Sequence, residues 1–185
     1  MGLFFSVSLA ELLKARNNIL VDIGIPALEK NGFHKAPFQD SFFGRNNVGG
    51  YSYELCRVSK SSQLEIITAH LSKGDRWFKI YLNVFQLRPV LNSVEPLKRV
   101  DGMQFRVPPK SQTQMRLDMS SRKVPLFGAS EHRIRPFFTA AGFKRRIVAL
   151  SRLIERDLNN IDFFIQRWHK LHQIGVTDWY GNIIN

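Results

Sequence analysis

Two long apolar runs follow each other in the middle of the chain and constrain its fold more than any other feature. They cover residues 64–71 and 77–87, and five residues with the composition of a hairpin loop, 72–76, separate them. This pattern predicts two antiparallel strands joined by a tight loop. Because an isolated two-stranded hairpin is only marginally stable in water, the rest of the chain must supply more strands and a covering helix.

The second predicted strand has two unlike faces, because side chains alternate along a strand. One face is apolar and must be buried; it consists of Phe78, Ile80, Leu82 and Val84. The other face mixes aromatic and polar groups; it consists of Trp77, Lys79, Tyr81, Asn83 and Phe85. We expect that another element half covers this second face, or that it is a working surface such as a stacking platform for unpaired bases.

The N-terminal third of the chain carries signals for a helix and for further strands. Ser8 and Glu11 form a capping box, which predicts a helix start, and Pro26 predicts a kink in that helix. Turn-forming residues and alternating patterns predict strands over 41–45 and 51–58.

The C-terminal region 139–173 reads as an amphipathic helix. Apolar residues recur every seven positions, at Ile147, Ile154, Ile161 and Trp168, and form a broad stripe suited to covering a sheet. The pair Asn159-Asn160 leaves open whether this is one helix or two. A homodimeric coiled coil is the rival interpretation, and Asp157 at a seam position argues against it.

A second hairpin is predicted after the turn signal Asp101-Gly102. Apolar and polar residues alternate over 103–107 and again over 115–119, which would place Arg106 and Arg116 on one polar face. Residues 120–135 have no clear period and form a predicted basic loop. A loop of this length in a compact domain is usually functional or mobile.

These elements predict the α+β class: a single domain over residues 1–185, with an antiparallel sheet of four to six strands. We expect the N-terminal and C-terminal helices to pack on one face of that sheet. The hydrophobic content of 44% and the 15 Phe residues favour a folded globule over a disordered chain.

The positive charge of the chain is regional. The formal net charge is +12, and residues 98–156 carry 14 Lys and Arg against four acids. A surplus of this kind favours an anionic partner. We therefore expect a basic hairpin and loop over 98–135 to form a docking surface.

The leading functional hypothesis is a non-enzymatic binding protein, of the toxin-neutralising or regulatory kind, that engages an acidic partner, most simply another protein. Six residues are predicted to make the contact: Arg106, Arg116, Arg122, Lys123, Arg133 and Arg135. The first alternative is a sequence-nonspecific nucleic-acid-binding protein, with added contacts from Lys144, Arg145 and Arg146. The second alternative is a hydrolase with an unfamiliar site.

Chemical motifs add little to these hypotheses. We find no phosphate-binding loop, dinucleotide fingerprint or zinc-protease motif, and we predict no catalytic residues, no metal site and no cofactor. His169 and His172 have helical spacing for a metal, but no acid or Cys in the sequence completes a ligand set. Cys56 is the single cysteine and is predicted to be a core thiol.

The start of the chain lacks a signal-peptide pattern, so we expect a cytoplasmic protein without a membrane partner.

A short motif resembles a bacterial family of small α+β proteins known only as domains of unknown function. In that family a helix ends in a Leu-x-x-x-Gly-Phe step, which matches Leu28, Gly32 and Phe33, and an aromatic-x-Arg strand follows, which matches Phe43 and Arg45. The resemblance covers about residues 12–87. It implies the α+β fold and brings no catalytic residues, and it leaves out the basic segment.

Overall fold

The N-terminal helical region begins at the capping box. The structure, a computed structural model, describes residues 5–59, 62–118 and 131–184. Helix α1 (Leu9–Ile19) starts where Ser8 Oγ accepts a hydrogen bond from the Glu11 backbone N–H and the Glu11 carboxylate accepts one from the Ser8 N–H. A π-helical stretch (Leu20–Gly24) precedes α2 (Ile25–Lys30), so the irregularity predicted at Pro26 lies just before it.

One sheet forms the centre of the fold. Three strands are long: β3 (Tyr51–Val58), β4 (Gln63–Leu71) and β5 (Lys79–Leu87). Four are short: β1 (His34–Lys35), β2 (Phe43–Arg45), β6 (Met115–Arg116) and β7 (Gly175–Thr177). The main order is β1-β3-β4-β5-β6, while β2 also pairs with β3 and β7 pairs with β5. All pairs are antiparallel except β5 with β7, and the predicted central hairpin is β4 and β5, with Ile67 opposite Leu82.

The α+β prediction is confirmed, and its strand count is too low. Seven strands lie in the described residues, against the four to six expected. The difference comes from pieces of two or three residues, which are too short to show a period in the sequence.

The helices cover one face of the sheet. The C-terminal region divides into α3 (Ala140–Asn159) and α4 (Ile161–Leu171), which meet at Asn160. All four helices share one core with the apolar face of β5, and Phe33, Phe78 and Trp168 are fully buried in it. Burial of each such side chain contributes about 2 to 3 kcal/mol. At Gly24 a Cβ atom would lie 3.2 Å from Leu158, because the helical region closely approaches α3 there.

The second face of the sheet is covered by irregular chain. Phe85 is buried against Phe105, with ring centroids 5.1 Å apart, in a smaller core that also contains Cys56. Short 3-10 helices supply much of this cover: Glu95–Arg99, Gly102–Phe105 and Lys110–Thr113. Of the two expectations for this face, cover by another element is therefore the correct one at Phe85.

The second predicted hairpin does not form. Gly102–Phe105 is a 3-10 helix, because the Asp101 side chain caps it by accepting the Met103 N–H at 2.8 Å and because Gly102 packs against the Phe38 ring. Two consecutive prolines at 108 and 109 remove the N–H groups that a strand pair would need. Within the described part of the second predicted strand, Met115–Arg116 forms β6, which pairs with β5 and not with residues 103–107.

None of the described helices combines the length and the apolar character needed to cross a membrane.

Candidate functional site

The segment 131–135 runs extended beside the start of β5. The Phe78 N–H donates to the His132 carbonyl at 2.6 Å, and the Ile134 N–H donates to the Arg76 carbonyl at 2.9 Å. Side chains alternate along this extended chain, so His132 and Ile134 point inward and are fully buried. The intervening side chains, among them Arg133 and Arg135, point outward.

A buried contact ties this segment to α3. His132 Nε2 lies 2.8 Å from Asp157 Oδ2, and Arg156 contacts the other oxygen of the same carboxylate at 2.7 Å. Burial raises the pKa of Asp157, but hydrogen bonds from His132 and Arg156 outweigh it and hold that pKa below its ordinary value. The charged carboxylate therefore fixes the position of the segment against the helix.

Two consecutive phenylalanines separate into an anchor and an exposed ring. Phe137 packs on Phe143, with ring centroids 4.9 Å apart, and the Arg76 guanidinium lies 5.5 Å from the Phe137 centroid. Phe138 is 77% exposed. Thr139 then caps α3 by accepting the Gly142 N–H at 2.9 Å.

The first fifteen residues of α3 carry only positive charge. Residues 140–154 contain four basic side chains and no acid. Gly142, Arg145, Arg146 and Ala149 face the segment before the helix, because residues three and four apart share a helix face.

Two adjoining clefts lie between α3 and the preceding segment. A cleft of about 540 Å³ is lined by Phe138, Arg145 and Arg146. A second, of about 190 Å³, is lined by Arg133, Arg135, Arg146 and one acid, Glu131, which pairs with Arg133. Both are lined by Arg146 and Ala149, so the two clefts adjoin. We call this surface the cationic groove and define it by Arg133, Arg135, Phe138, Arg145, Arg146 and Ala149.

The arginines of the groove differ in their partners. Arg133 pairs with Glu131 at 2.6 Å, and its guanidinium lies over the Trp77 ring. Arg135, Arg145 and Arg146 are exposed, and none of the ion pairs between described residues includes them. Their three charges are therefore available to an anion from solution.

The structure separates the remaining predicted contact residues. Arg106 is held by Asp40 and Glu54, with its Nε 3.0 Å from Glu54 Oε1, and Arg116 pairs with Asp118 at 2.7 Å. Neither therefore adds an uncompensated charge to the surface. Lys144 is exposed but lines a different cleft, between α1 and α3. The predicted contacts Arg122 and Lys123 lie outside the described residues.

The predicted stacking platform on β5 is not accessible as a platform. Phe85 is buried, and the guanidinium carbons of Arg116 and Arg133 each lie 4.9 Å from the Trp77 ring centroid. The exposed ring beside the groove is Phe138, which the sequence interpretation did not single out. The sequence interpretation also did not single out Arg76, whose guanidinium lies over the Phe137 ring. The sequence signal for Phe138 is its place directly between a basic loop and a basic helix.

A serine and a histidine meet on the second face of the sheet. Asn46 Nδ2 donates to Ser52 Oγ at 3.1 Å, and Ser52 Oγ lies 3.0 Å from His70 Nδ1. Burial, with the nearby charges of Lys79 and Arg106, lowers the pKa of His70, which favours the neutral ring. Ser52 is only 5% exposed, so a substrate could not approach its hydroxyl. The hydrolase alternative stays a prediction, without a reachable nucleophile at this pair.

The other candidate residues have structural surroundings. Burial raises the pKa of the Cys56 thiol to about 12, and this side chain is fully buried, as expected of a core thiol. His169 and His172 both contact the Trp168 ring. Within the part of the chain that the structure describes, no three His, Cys, Asp or Glu side chains are grouped to hold a metal ion.

A further cleft, of about 700 Å³, lies at the other end of the helical face. It is lined by Arg57, His34 and Asp162 among others. The Arg57 guanidinium already contacts Glu65 at 2.5 Å and also Asp162, and it lies over the Phe33 ring. Its charge is therefore neutralised within the protein, in contrast to the cationic groove.

Comparison with known proteins adds no relative: no family model matches the chain, and no curated protein and no solved structure matches it. The resemblance over residues 12–87 stays a prediction.

Proposed function

We propose that this protein is a non-enzymatic binding protein that holds nucleic acid in the cationic groove, without sequence preference. Arg135, Arg145 and Arg146 contact the phosphates. Neutralisation of phosphates by Lys and Arg releases condensed counterions, which supplies most of the affinity in binding of this kind.

The observation that carries this proposal is the uncompensated charge along the groove. Its three exposed arginines pair with no described acid, and α3 has no acid before Glu155. The first turn of α3 also contains no acid that could offset the charges of Lys144, Arg145 and Arg146. These three residues make no ion pair with a described residue, and a bound polyanion would compensate their charges.

An acidic protein was the leading hypothesis from the sequence, and the geometry now favours nucleic acid over it. That hypothesis relied on a basic hairpin, and the hairpin does not form. The charge of Arg106 is neutralised by Asp40 and Glu54 within the protein. The surface that remains is an arginine groove beside an exposed aromatic ring. Arginine and aromatic groups together suit phosphates and bases.

A fluorescence anisotropy titration tests the proposal. A labelled oligonucleotide of about 20 nucleotides is titrated at about 50 mM and about 200 mM salt. Three phosphate contacts should weaken binding about 20-fold over this range. The charge-reversal pair Arg145→Glu/Arg146→Glu should remove binding, because it replaces two cations of the groove with anions.

The matched control is Lys98→Glu/Arg99→Glu, which changes the net charge equally at two exposed residues of the 3-10 helix Glu95–Arg99. It should retain most of the affinity. Equal loss in the two variants would show that net charge, and not the groove, governs binding. Absence of DNA and RNA binding at low salt, together with tight binding of polyglutamate, would overturn the nucleic-acid proposal in favour of an acidic protein.

A further inference from the structure

The exposed ring of Phe138 stands at the edge of the larger cleft of the groove. Phe138 is 77% exposed, whereas its neighbour Phe137 is packed between Phe5 and Phe143, with centroid distances of 6.2 and 4.9 Å. The anchored Phe137 fixes the backbone at the start of α3. Phe138 is thereby held in place beside Arg145 and Arg146 without being buried.

An exposed phenyl ring at this position adds nothing to the described core. The Phe138 ring appears in none of the aromatic contacts between described residues, whereas Phe137, which also lines the cleft, packs against Phe5 and Phe143. A phenyl ring beside cationic side chains is a stacking platform for an unpaired base, and every base has a face that can stack on it.

The cleft beside the ring has a suitable size. Its volume of about 540 Å³ falls within the range of about 300 to 1,000 Å³ that small-molecule pockets occupy. Its wall combines Phe138 with the guanidinium groups of Arg145 and Arg146. One nucleotide could therefore place its base on the ring and its phosphate on the arginines.

We infer, on the basis of the proposed function, that the groove selects single-stranded nucleic acid and that a base stacks on Phe138. In a duplex the bases are already stacked on one another and their faces are closed to the ring. A duplex can therefore use only the arginines, and the single strand gains the stacking contact in addition. Because stacking tolerates all four bases, the groove has little base preference.

The test compares a single-stranded oligonucleotide with a duplex of the same sequence, in the same buffer, against three variants. Phe138→Ala should weaken single-strand binding about 10-fold and leave duplex binding unchanged. Phe138→Trp should retain or improve single-strand binding, because it offers a larger stacking face. The matched control is Phe163→Ala: Phe163 is 62% exposed and lies in α4, after the C-terminal end of α3, whereas Phe138 precedes the start of α3, a helix about 30 Å long.

Each outcome separates this inference from the proposed function. Equal binding of single strand and duplex, unaffected by Phe138→Ala, would overturn the stacking inference and leave the groove proposal standing. Absence of binding to both forms would overturn both. Because Phe138 is exposed, its variants should keep the melting temperature of the wild type within about 1 °C, so a loss of affinity cannot be attributed to unfolding.

Discussion

Arg106 and Arg145 carry the same charge and have opposite surroundings. Arg106 contacts two carboxylates, Asp40 and the buried Glu54, on the second face of the sheet. Arg145 projects from α3 into a cleft wall without a described acid partner. Arg106 therefore holds elements of the fold together, and Arg145 is available to a ligand. A count of basic residues cannot distinguish these two roles, although both arginines contribute equally to the net charge.

Removal of Arg106 should give the largest effect on stability. Arg106→Ala leaves the buried Glu54 carboxylate without its partner, and loss of one member of a buried ion pair costs about 3 kcal/mol. Urea denaturation followed by circular dichroism measures the free energy of unfolding.

The matched control for Arg106→Ala is Arg145→Ala. This exposed residue should change the free energy of unfolding by less than about 0.5 kcal/mol. Similar losses from the two substitutions would contradict the division between internal and groove arginines.

The pH dependence of stability provides a second test of whether Arg106 and its partner Asp40 hold the fold together. Burial raises the pKa of Asp40, but the Gly102 N–H, which donates to it at 2.8 Å, and the Arg106 guanidinium outweigh burial and lower that pKa below 3.8. The carboxylate therefore stabilises the fold above about pH 4, and this contribution is lost as the pH falls through the lowered pKa.

Asp40→Asn should cost about 1 kcal/mol near neutral pH, because it removes a charged hydrogen-bond acceptor. The difference from the wild type should shrink as the pH falls through the lowered pKa of Asp40, because the carboxyl of the wild type then protonates. Denaturation curves at neutral pH and at an acidic pH below the ordinary Asp range measure it. If the difference in the free energy of unfolding were the same at both pH values, the ionised carboxylate of Asp40 would contribute nothing to stability.

The parts of the fold in which a regular apolar pattern continues over many residues could be predicted from the sequence. The alternation in β5, the loop 72–76 and the seven-residue apolar repeat gave the central hairpin and the helical cover. The alternation at residues 103–107 was misleading, because a run of five residues is short and Met103 is in fact 46% exposed. There the Asp101 cap and the close packing of Gly102 on Phe38 decided the local structure.

The candidate site was only partly predictable. The positive character of residues 131–146 was visible, but the partners of Arg106 lie 52 and 66 positions away in the sequence. Such distant pairs leave no local pattern. Residues 132–135 do alternate in a way that predicts an extended segment, with Arg133 and Arg135 pointing outward. The alternation is recognisable only if His132 is counted with Ile134 as a buried residue.

The salt dependence of binding tests the division between the two kinds of arginine most directly. The logarithm of the affinity for a single strand is plotted against the logarithm of the salt concentration for the wild type, Arg145→Gln/Arg146→Gln and Arg106→Gln. Loss of two phosphate contacts should reduce the slope by about 1.4 in the groove variant, whereas the folded Arg106 variant should keep the slope of the wild type. An unchanged slope in the groove variant, or an equal reduction in both, would contradict the assignment of binding to the cationic groove.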